Sequence, residues 1–349
     1  MNISLSDGTH SIELKDIAAN CSVSGSNPVR MNTEEQLVKE IEFDVVCKEI
    51  LVNKVVMVSN QEGPLDLYIA EPNDKGSGFT NYRRHTHDDY PEQHPTISTD
   101  GTQIAFTKQG NIWMIDANGG NEKQITSSGE DFKPVWLAEQ NKLAFTSRRD
   151  GKAQIYTINA DGSQEQRFES TNPLYTGSTT ASSNPLYTGN EKRRNSEFDL
   201  SGVMMEGDLS KIVLIKLEEG GKMSTKTLTK NTIREFAPAW SPDGSIVTSI
   251  IENARGVLNL QSIEVETGEI LGTTNFQVGF IDSEASPSWV PDGSALLFSS
   301  IKSSSVKAKG AAQDYNSSRS NKPSPIREIE TDETGFTVMY VAWSRILKW

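Results

Sequence analysis

The stretch Pro238-Ala-Trp-Ser-Pro-Asp-Gly-Ser-Ile-Val-Thr-Ser249 decides the fold, because it is not unique in the chain. It returns as Pro95-Thr-Ile-Ser-Thr-Asp-Gly-Thr-Gln-Ile-Ala-Phe-Thr107 and as Pro287-Ser-Trp-Val-Pro-Asp-Gly-Ser-Ala-Leu-Leu-Phe-Ser299. A weaker copy runs from Pro134 to Thr146. Ser-Pro-Asp-Gly is a turn: Pro presets φ at its second position and Gly accepts the left-handed conformation at its end. A second phrase repeats behind the first. Gly110-Asn-Ile-Trp-Met-Ile-Asp-Ala-Asn-Gly119 matches Ala153-Gln-Ile-Tyr-Thr-Ile-Asn-Ala-Asp-Gly162, and Asp66 to Asp74 is a relative of both. Three turns per unit imply four antiparallel strands. Consecutive apolar positions such as Ile112-Trp113-Met114-Ile115 imply strands covered on both faces, as when sheets stack on sheets. Four-stranded units of about 40 residues stacked radially make a β-propeller. One repeat passes between Pro95 and Pro134 and one between Pro238 and Pro287, while the gap from Pro134 to Pro238 fits two and an insertion. With one unit before Pro95 and one after Pro287, the spacing predicts about six blades over 54–349. Five or seven stay open.

Residues 1–50 read differently. Ile12, Leu14, Ile17, Cys21, Val23, Ile41, Phe43, Val45 and Cys47 alternate with polar residues in short bursts, the period of half-buried strands. This predicts a small β-sandwich with little core. Cys21 and Cys47 are the two cysteines of the chain; their number permits one bridge or two buried thiols. Two segments break the propeller pattern. Asn172-Pro-Leu-Tyr-Thr-Gly177 recurs as Asn184-Pro-Leu-Tyr-Thr-Gly189, and 303–325 is rich in Ser, Lys and Asn. Both are expected to be surface insertions, near 172–190 and 303–325, open to protease. The doubled Asn-Pro-Leu-Tyr reads as a tandem duplication rather than a recognition turn.

The Trp-Ser-Pro-Asp-Gly and Asn-Ala-Asp-Gly phrases resemble the WD40-like repeat of TolB-type propellers over roughly 54–300. That resemblance implies fold more than function. The segment Ala19 to Pro28 with Ile41 to Cys47 is similar to the small transthyretin- or immunoglobulin-like module that precedes such propellers in exported bacterial proteins. The resemblance implies a Cys21–Cys47 disulfide and hence an oxidising compartment, periplasmic or extracellular. The first residues have neither a basic segment nor an apolar core, so the export signal is expected to lie outside this chain.

The net charge of −13 disfavours nucleic acid as a partner, and no apolar run is long enough for membrane insertion. No cofactor is expected, since there is no glycine-rich phosphate loop. No catalytic residue is expected: Gly-x-Ser-x-Gly is absent, and with the last residue given at Trp349 no appended hydrolase domain is expected. The Asp116 to Gly119 type of run lacks the closing Glu of a calcium loop. One segment carries chemical variety. Arg83 to His94 holds three of the four histidines among carboxylates. His85 and His87 would share one face of a strand, yet nothing evident orients them, so no metal is expected on His85, His87 and Asp89. The expected function is non-enzymatic binding or scaffolding of a protein, peptide or glycan. Its contact loop would comprise Arg84, His85, His87, Asp89, Tyr90 and His94 at a channel mouth. A glycan lyase or hydrolase on the propeller is the alternative. Trp136, Trp240, Trp289, Phe106, Phe145 and Phe298 recur at equivalent positions and are expected to be core.

Overall fold

The computed structural model describes residues 8–15, 17, 20–33, 41–60, 62–72, 79–137, 141–151, 153–170, 198–206, 209–230, 233–241, 243–273, 287–289, 296–302, 305–311 and 341–343. The chain divides into two compact units, 1–50 and 51–349.

The described residues of the short unit form four strands: β1 (Gly8–Ile12), β2 (Cys21–Ser24), β3 (Val29–Thr33) and β4 (Asp44–Cys47). They form two antiparallel pairs, β1 with β3 and β2 with β4. Cys21 and Cys47 stand directly opposite each other in the β2–β4 register and are bonded. Just outside the bond, the Asn20 amide donates to the Lys48 carbonyl at 2.8 Å. Asn27 holds both the N–H and the carbonyl of Leu14 through its amide, at 2.9 and 3.0 Å. The alternation in the sequence marks the strands but not a buried face. Val45 is 39% and Val46 53% exposed, and no described residue of this unit is buried.

Among its described residues the long unit is all-β apart from one 3-10 turn, Glu219–Gly221. Its strands run β5 (Val55–Ser59), β6 (Asp66–Pro72), β7 (Phe79–Arg84), β8 (Glu92–Ile97), β9 (Gln103–Lys108), β10 (Asn111–Asp116) and β11 (Lys123–Gln124). Then come β12 (Asp131–Leu137), β13 (Lys142–Ser147), β14 (Gln154–Asn159), β15 (Gln166–Ser170), β16 (Leu200–Glu206), β17 (Leu209–Glu218) and β18 (Lys222–Thr227). The last are β19 (Arg234–Trp240), β20 (Ile246–Glu252), β21 (Leu258–Glu264), β22 (Ile270–Thr273), β23 (Ser288–Trp289), β24 (Leu296–Lys302), β25 (Ser305–Ala311) and β26 (Val341–Trp343).

β8 to β11 and β19 to β22 are four-stranded meanders in chain order. β12 to β15 form another, but β15 also pairs in parallel with β18, at Glu169–Lys222 and Ser170–Met223, so that a seven-stranded sheet results. The first sheet is completed from the far end of the unit: β26 pairs antiparallel with β5, Trp343 opposite Val55. Around the centre β26 lies against β8, β8 against β12, β19 against β23 and β23 against β26. Ser305–Ala311, expected as part of an insertion, is a strand instead. It pairs with β24 from Lys302–Ser305 to Leu296–Ala311, so backbone hydrogen bonding rather than apolar content makes it. The repeat at 172–190 and the remainder of 303–325 lie outside the described residues.

The apolar runs behave as fully covered strands. In β9 and β13, five consecutive residues are buried. Alternate residues pack on alternate neighbours. Ile104 and Phe106 of β9 meet Val56, Val58, Leu67 and Ile69 of the preceding sheet, while Ala105 joins Trp136, Leu143, Phe145 and Tyr156 of the next. Trp240 sits with Ile212 and Leu214, and Trp289 with Ile250 and Leu260. Phe298 lies in β24, and its side chain is outside the described set.

Where two sheets approach at the β9–β10 turn, Gly110 has φ +68°, and a Cβ there would stand 2.2 Å from the Gly129 carbonyl oxygen. Gly110→Ala is therefore expected to cost about 1–3 kcal/mol, read as a lower urea midpoint with an unchanged slope.

Candidate functional site: the connection from Arg84 to Glu92

The connection leaves β7 at Arg84 and enters β8 at Glu92. Its inward side is fixed by a short polar relay. The Leu67 N–H of β6 donates to the Thr86 hydroxyl at 2.9 Å and to Glu92 Oε2 at 3.1 Å, and the Thr86 hydroxyl donates to the same Glu92 oxygen. The relay repeats one sheet on. Ile112 N–H donates to Thr126 Oγ1 at 2.9 Å, and Thr126 also bonds Asp131. It repeats again where Ile212 N–H meets Thr229 Oγ1 at 3.1 Å and the Thr229 hydroxyl donates to Glu235. Each carboxylate is fully buried at or beside the start of an innermost strand and reaches back to the sheet before it. A buried strand N–H left without a β-ladder partner needs such an acceptor.

Each acid also takes a partner from further along its own sheet: Lys108 at the end of β9, Arg149 just after β13 and Gln261 in β21. Arg149 gives Asp131 two bonds of 2.9 Å and lies over the Tyr156 ring at 4.5 Å. Burial works to raise the Asp131 carboxyl, but bonds from Ser128, Ser147, Thr126 and Arg149 outweigh it and hold the group below the usual carboxylate range. Gln261 donates to Glu235 at 3.3 Å. Glu92 has only Lys108, 3.8 Å from Oε1. The Lys108 ammonium is shared: it bonds Asp88 at 2.5 Å, bonds Glu122, and lies 4.3 Å over the Trp113 ring. Asp88, Glu92 and Glu122 present oxygens within 4.8 Å of one another, and Lys108 is the cation held among them. Burial pushes the Glu92 carboxyl up to about 8, with Asp88 adding to the rise and Thr86, Lys108 and Leu67 opposing it.

The residues expected as one contact loop are divided by this scaffold. Arg84 is turned to the buried Asp66, 2.7 Å away, and to Glu62 at 3.6 Å. His85 is buried, its Nε2 3.1 Å from the Asp116 carbonyl; burial drops its imidazole to about 4, against the pull of that carbonyl and with Arg83 and His87 assisting. His85 and His87 do not share a face. The strand ends at Arg84, and the chain turns so that His85 is buried and His87 exposed, which keeps the two imidazoles from converging. His94 is in β8, at the left-handed residue (φ 51°) before Pro95, with Nδ1 3.4 Å from Thr107 Oγ1. His87, Asp89 and Tyr90 remain on the outside, Tyr90 51% exposed, with Tyr90 N–H donating to Asp88 Oδ1 at 2.9 Å.

The Thr–acid relay has a sequence signal. An acid stands three residues before the repeat's Pro in Glu92–Pro95, Asp131–Pro134 and Glu235–Pro238. Glu284 holds that place before Pro287 and lies outside the described residues.

No family model matches the chain. A protein described as a TolB homolog, from Chlorobaculum tepidum, is 25% identical over 126 residues, 35% of this chain and 28% of the relative. The chain thus spans under a third of that relative's length. The crystal structure of TolB from Acinetobacter baumannii superposes with a TM-score of 0.62 at 15% identity, covering 84% of this chain and 67% of that one. The long unit has a TolB-like β-propeller fold. A chain in the crystal structure of a nidogen/laminin complex superposes with a TM-score of 0.55 at 12% identity, covering 82% of this chain and 97% of that one. Within this fold the relay ties Glu92, Asp131 and Glu235 each to the sheet before its own.

Proposed function

We propose that this chain is a non-enzymatic binding or scaffold protein of the cell envelope, holding a protein or peptide on the propeller end where the Arg84–Glu92 connection emerges. The observation that carries this reading is the division of that connection. Thr86 and Glu92 anchor it internally, and His87, Asp89 and Tyr90 project from the anchored frame. A rigid base with exposed, chemically varied tips suits recognition, since less ordering entropy is lost on binding. The TolB homolog description of the curated relative supports the envelope, and the nidogen/laminin complex, one chain of which superposes on this one, is a protein assembly. The Cys21–Cys47 bond supports an oxidising compartment. Among the described residues no helix is long and apolar enough to cross a membrane. Arg84, Lys108 and His85 are each engaged with an internal partner.

The test is capture from envelope extract of the source organism with the full chain and with the triple variant His87→Ala, Asp89→Ala, Tyr90→Ala. These exposed positions are expected to leave the melting temperature within about 2 °C, because surface changes away from buried networks cost little. The partner retained by the parent chain is expected to be lost by the variant. Retention by the variant, together with loss on deleting 1–50, would move recognition to the short unit.

A further inference from the structure

Glu92 differs from its two counterparts in what its second oxygen receives. Asp131 has Arg149 on both oxygens, and Glu235 has Gln261 on Oε1. Glu92 Oε1 is buried, accepts no hydrogen bond, and sees the Lys108 ammonium at 3.8 Å while Lys108 serves Asp88 and Glu122 more closely. One ammonium for three carboxylates leaves this cluster two charges short of neutrality. A buried carboxylate whose second oxygen has neither a donor nor a dedicated counter-charge is the least stable member and the one that a proton relieves.

We propose that closing the Arg84–Glu92 connection takes up one proton, held on Glu92, and that a rise in pH releases the connection. The groups that bear on Glu92 are few. Asp88 of the same connection opposes its ionisation and Lys108 of β9 favours it. Glu122, before β11, holds Lys108. β6 brings Asp66, itself paired with Arg84; β12 brings Asp131, paired with Arg149, and Lys133; β5 and β26 contain no titratable residue. The direction follows from linkage. The closed form holds the Glu92 proton up to about pH 8, whereas a solvated Glu gives it up near 4.5. The stabilisation of the closed form is complete below about 4.5 and is lost as pH rises to about 8, tenfold in the opening equilibrium per pH unit at most. His85 acts oppositely: its closed-form value near 4 lies below the ordinary 6.5, so it destabilises the closed form only as pH falls below 6.5. Above pH 7 it is neutral in both forms, and the Glu92 effect stands alone.

Hydrogen exchange by mass spectrometry on the full chain, corrected for intrinsic exchange rates, reads the opening. Between pH 7 and 8.5 the protection of the 84–92 segment is expected to fall about tenfold in the parent. Glu92→Gln, a neutral isostere of the protonated acid, is expected to keep its protection across that range. Asp88→Asn, which removes the opposing charge, is expected to shrink the loss several-fold, and it decides the matter if Glu92→Gln fails to fold. A flat parent profile, an equal loss in Glu92→Gln, or an undiminished loss in Asp88→Asn would each overturn the proposal.

Discussion

Phe145→Ala is expected to lower the unfolding free energy by about 3–5 kcal/mol, among the largest effects of any single truncation in the long unit. Phe145 is fully buried in β13 and stacks on Tyr156 with ring centroids 5.7 Å apart. It packs with Ala105, Ile112 and Met114 of the β8–β11 sheet as well as with Trp136 and Leu143 of its own. The vacated space would therefore lie at a junction of two sheets, where collapse needs both to move. Chemical denaturation should show a lower midpoint, and Phe145→Leu, which keeps most of the volume, should recover more than half of the loss. A cost under 1 kcal/mol would mean that the inter-sheet packing is looser than the burial implies.

Removing the Cys21–Cys47 bond is the second large change. The two residues close a loop with a sequence separation of 26, for which the chain-entropy relation gives about 3–4 kcal/mol. The short unit has no described residue in a buried position to set against that loss. Cys21→Ser with Cys47→Ser, or reduction with dithiothreitol, is expected to unfold 1–50 and to leave the propeller's main transition in place. Two thermal steps in the oxidised chain should become one. Thiol titration of the unfolded, unreduced chain should find no reactive group; two per chain would contradict the bond.

The propeller was legible because its information is repeated. Trp136, Trp240 and Trp289 occupy equivalent places, and all three are buried against a neighbouring sheet. The completing strand was also present in the sequence, since Val341-Ala-Trp-Ser344 repeats Ala-Trp-Ser of 239–241 without its Pro. Being short and far from the other copies, it carries too little pattern to mark a strand, and its pairing with Val55–Ser59 is what defines it. The candidate site was legible only as a place. The sequence shows that Arg84, His85 and His87 are neighbours; it does not show which of them a buried acid will claim. Asp66, distant in sequence, takes Arg84, and the Asp116 carbonyl takes His85. Glu92 and Thr86 look like ordinary polar loop residues until the Leu67 N–H is seen to need them. Ser305–Ala311 is the reverse case: its polar composition signals a loop, yet strand pairing uses the backbone that every residue has.

The pairing of β26 with β5 carries a consequence for the making of the protein. A ribosome delivers β5 near the beginning of the long unit and its partner only near position 341. At 5–20 residues per second the interval is on the order of tens of seconds. Through that interval one side of β5 offers unpaired amide and carbonyl groups, the kind of edge to which other nascent chains add. The first sheet of the ring is thus the last to be sealed, and a helper that masks Val55–Ser59 during synthesis would raise the yield of folded protein without touching its final stability.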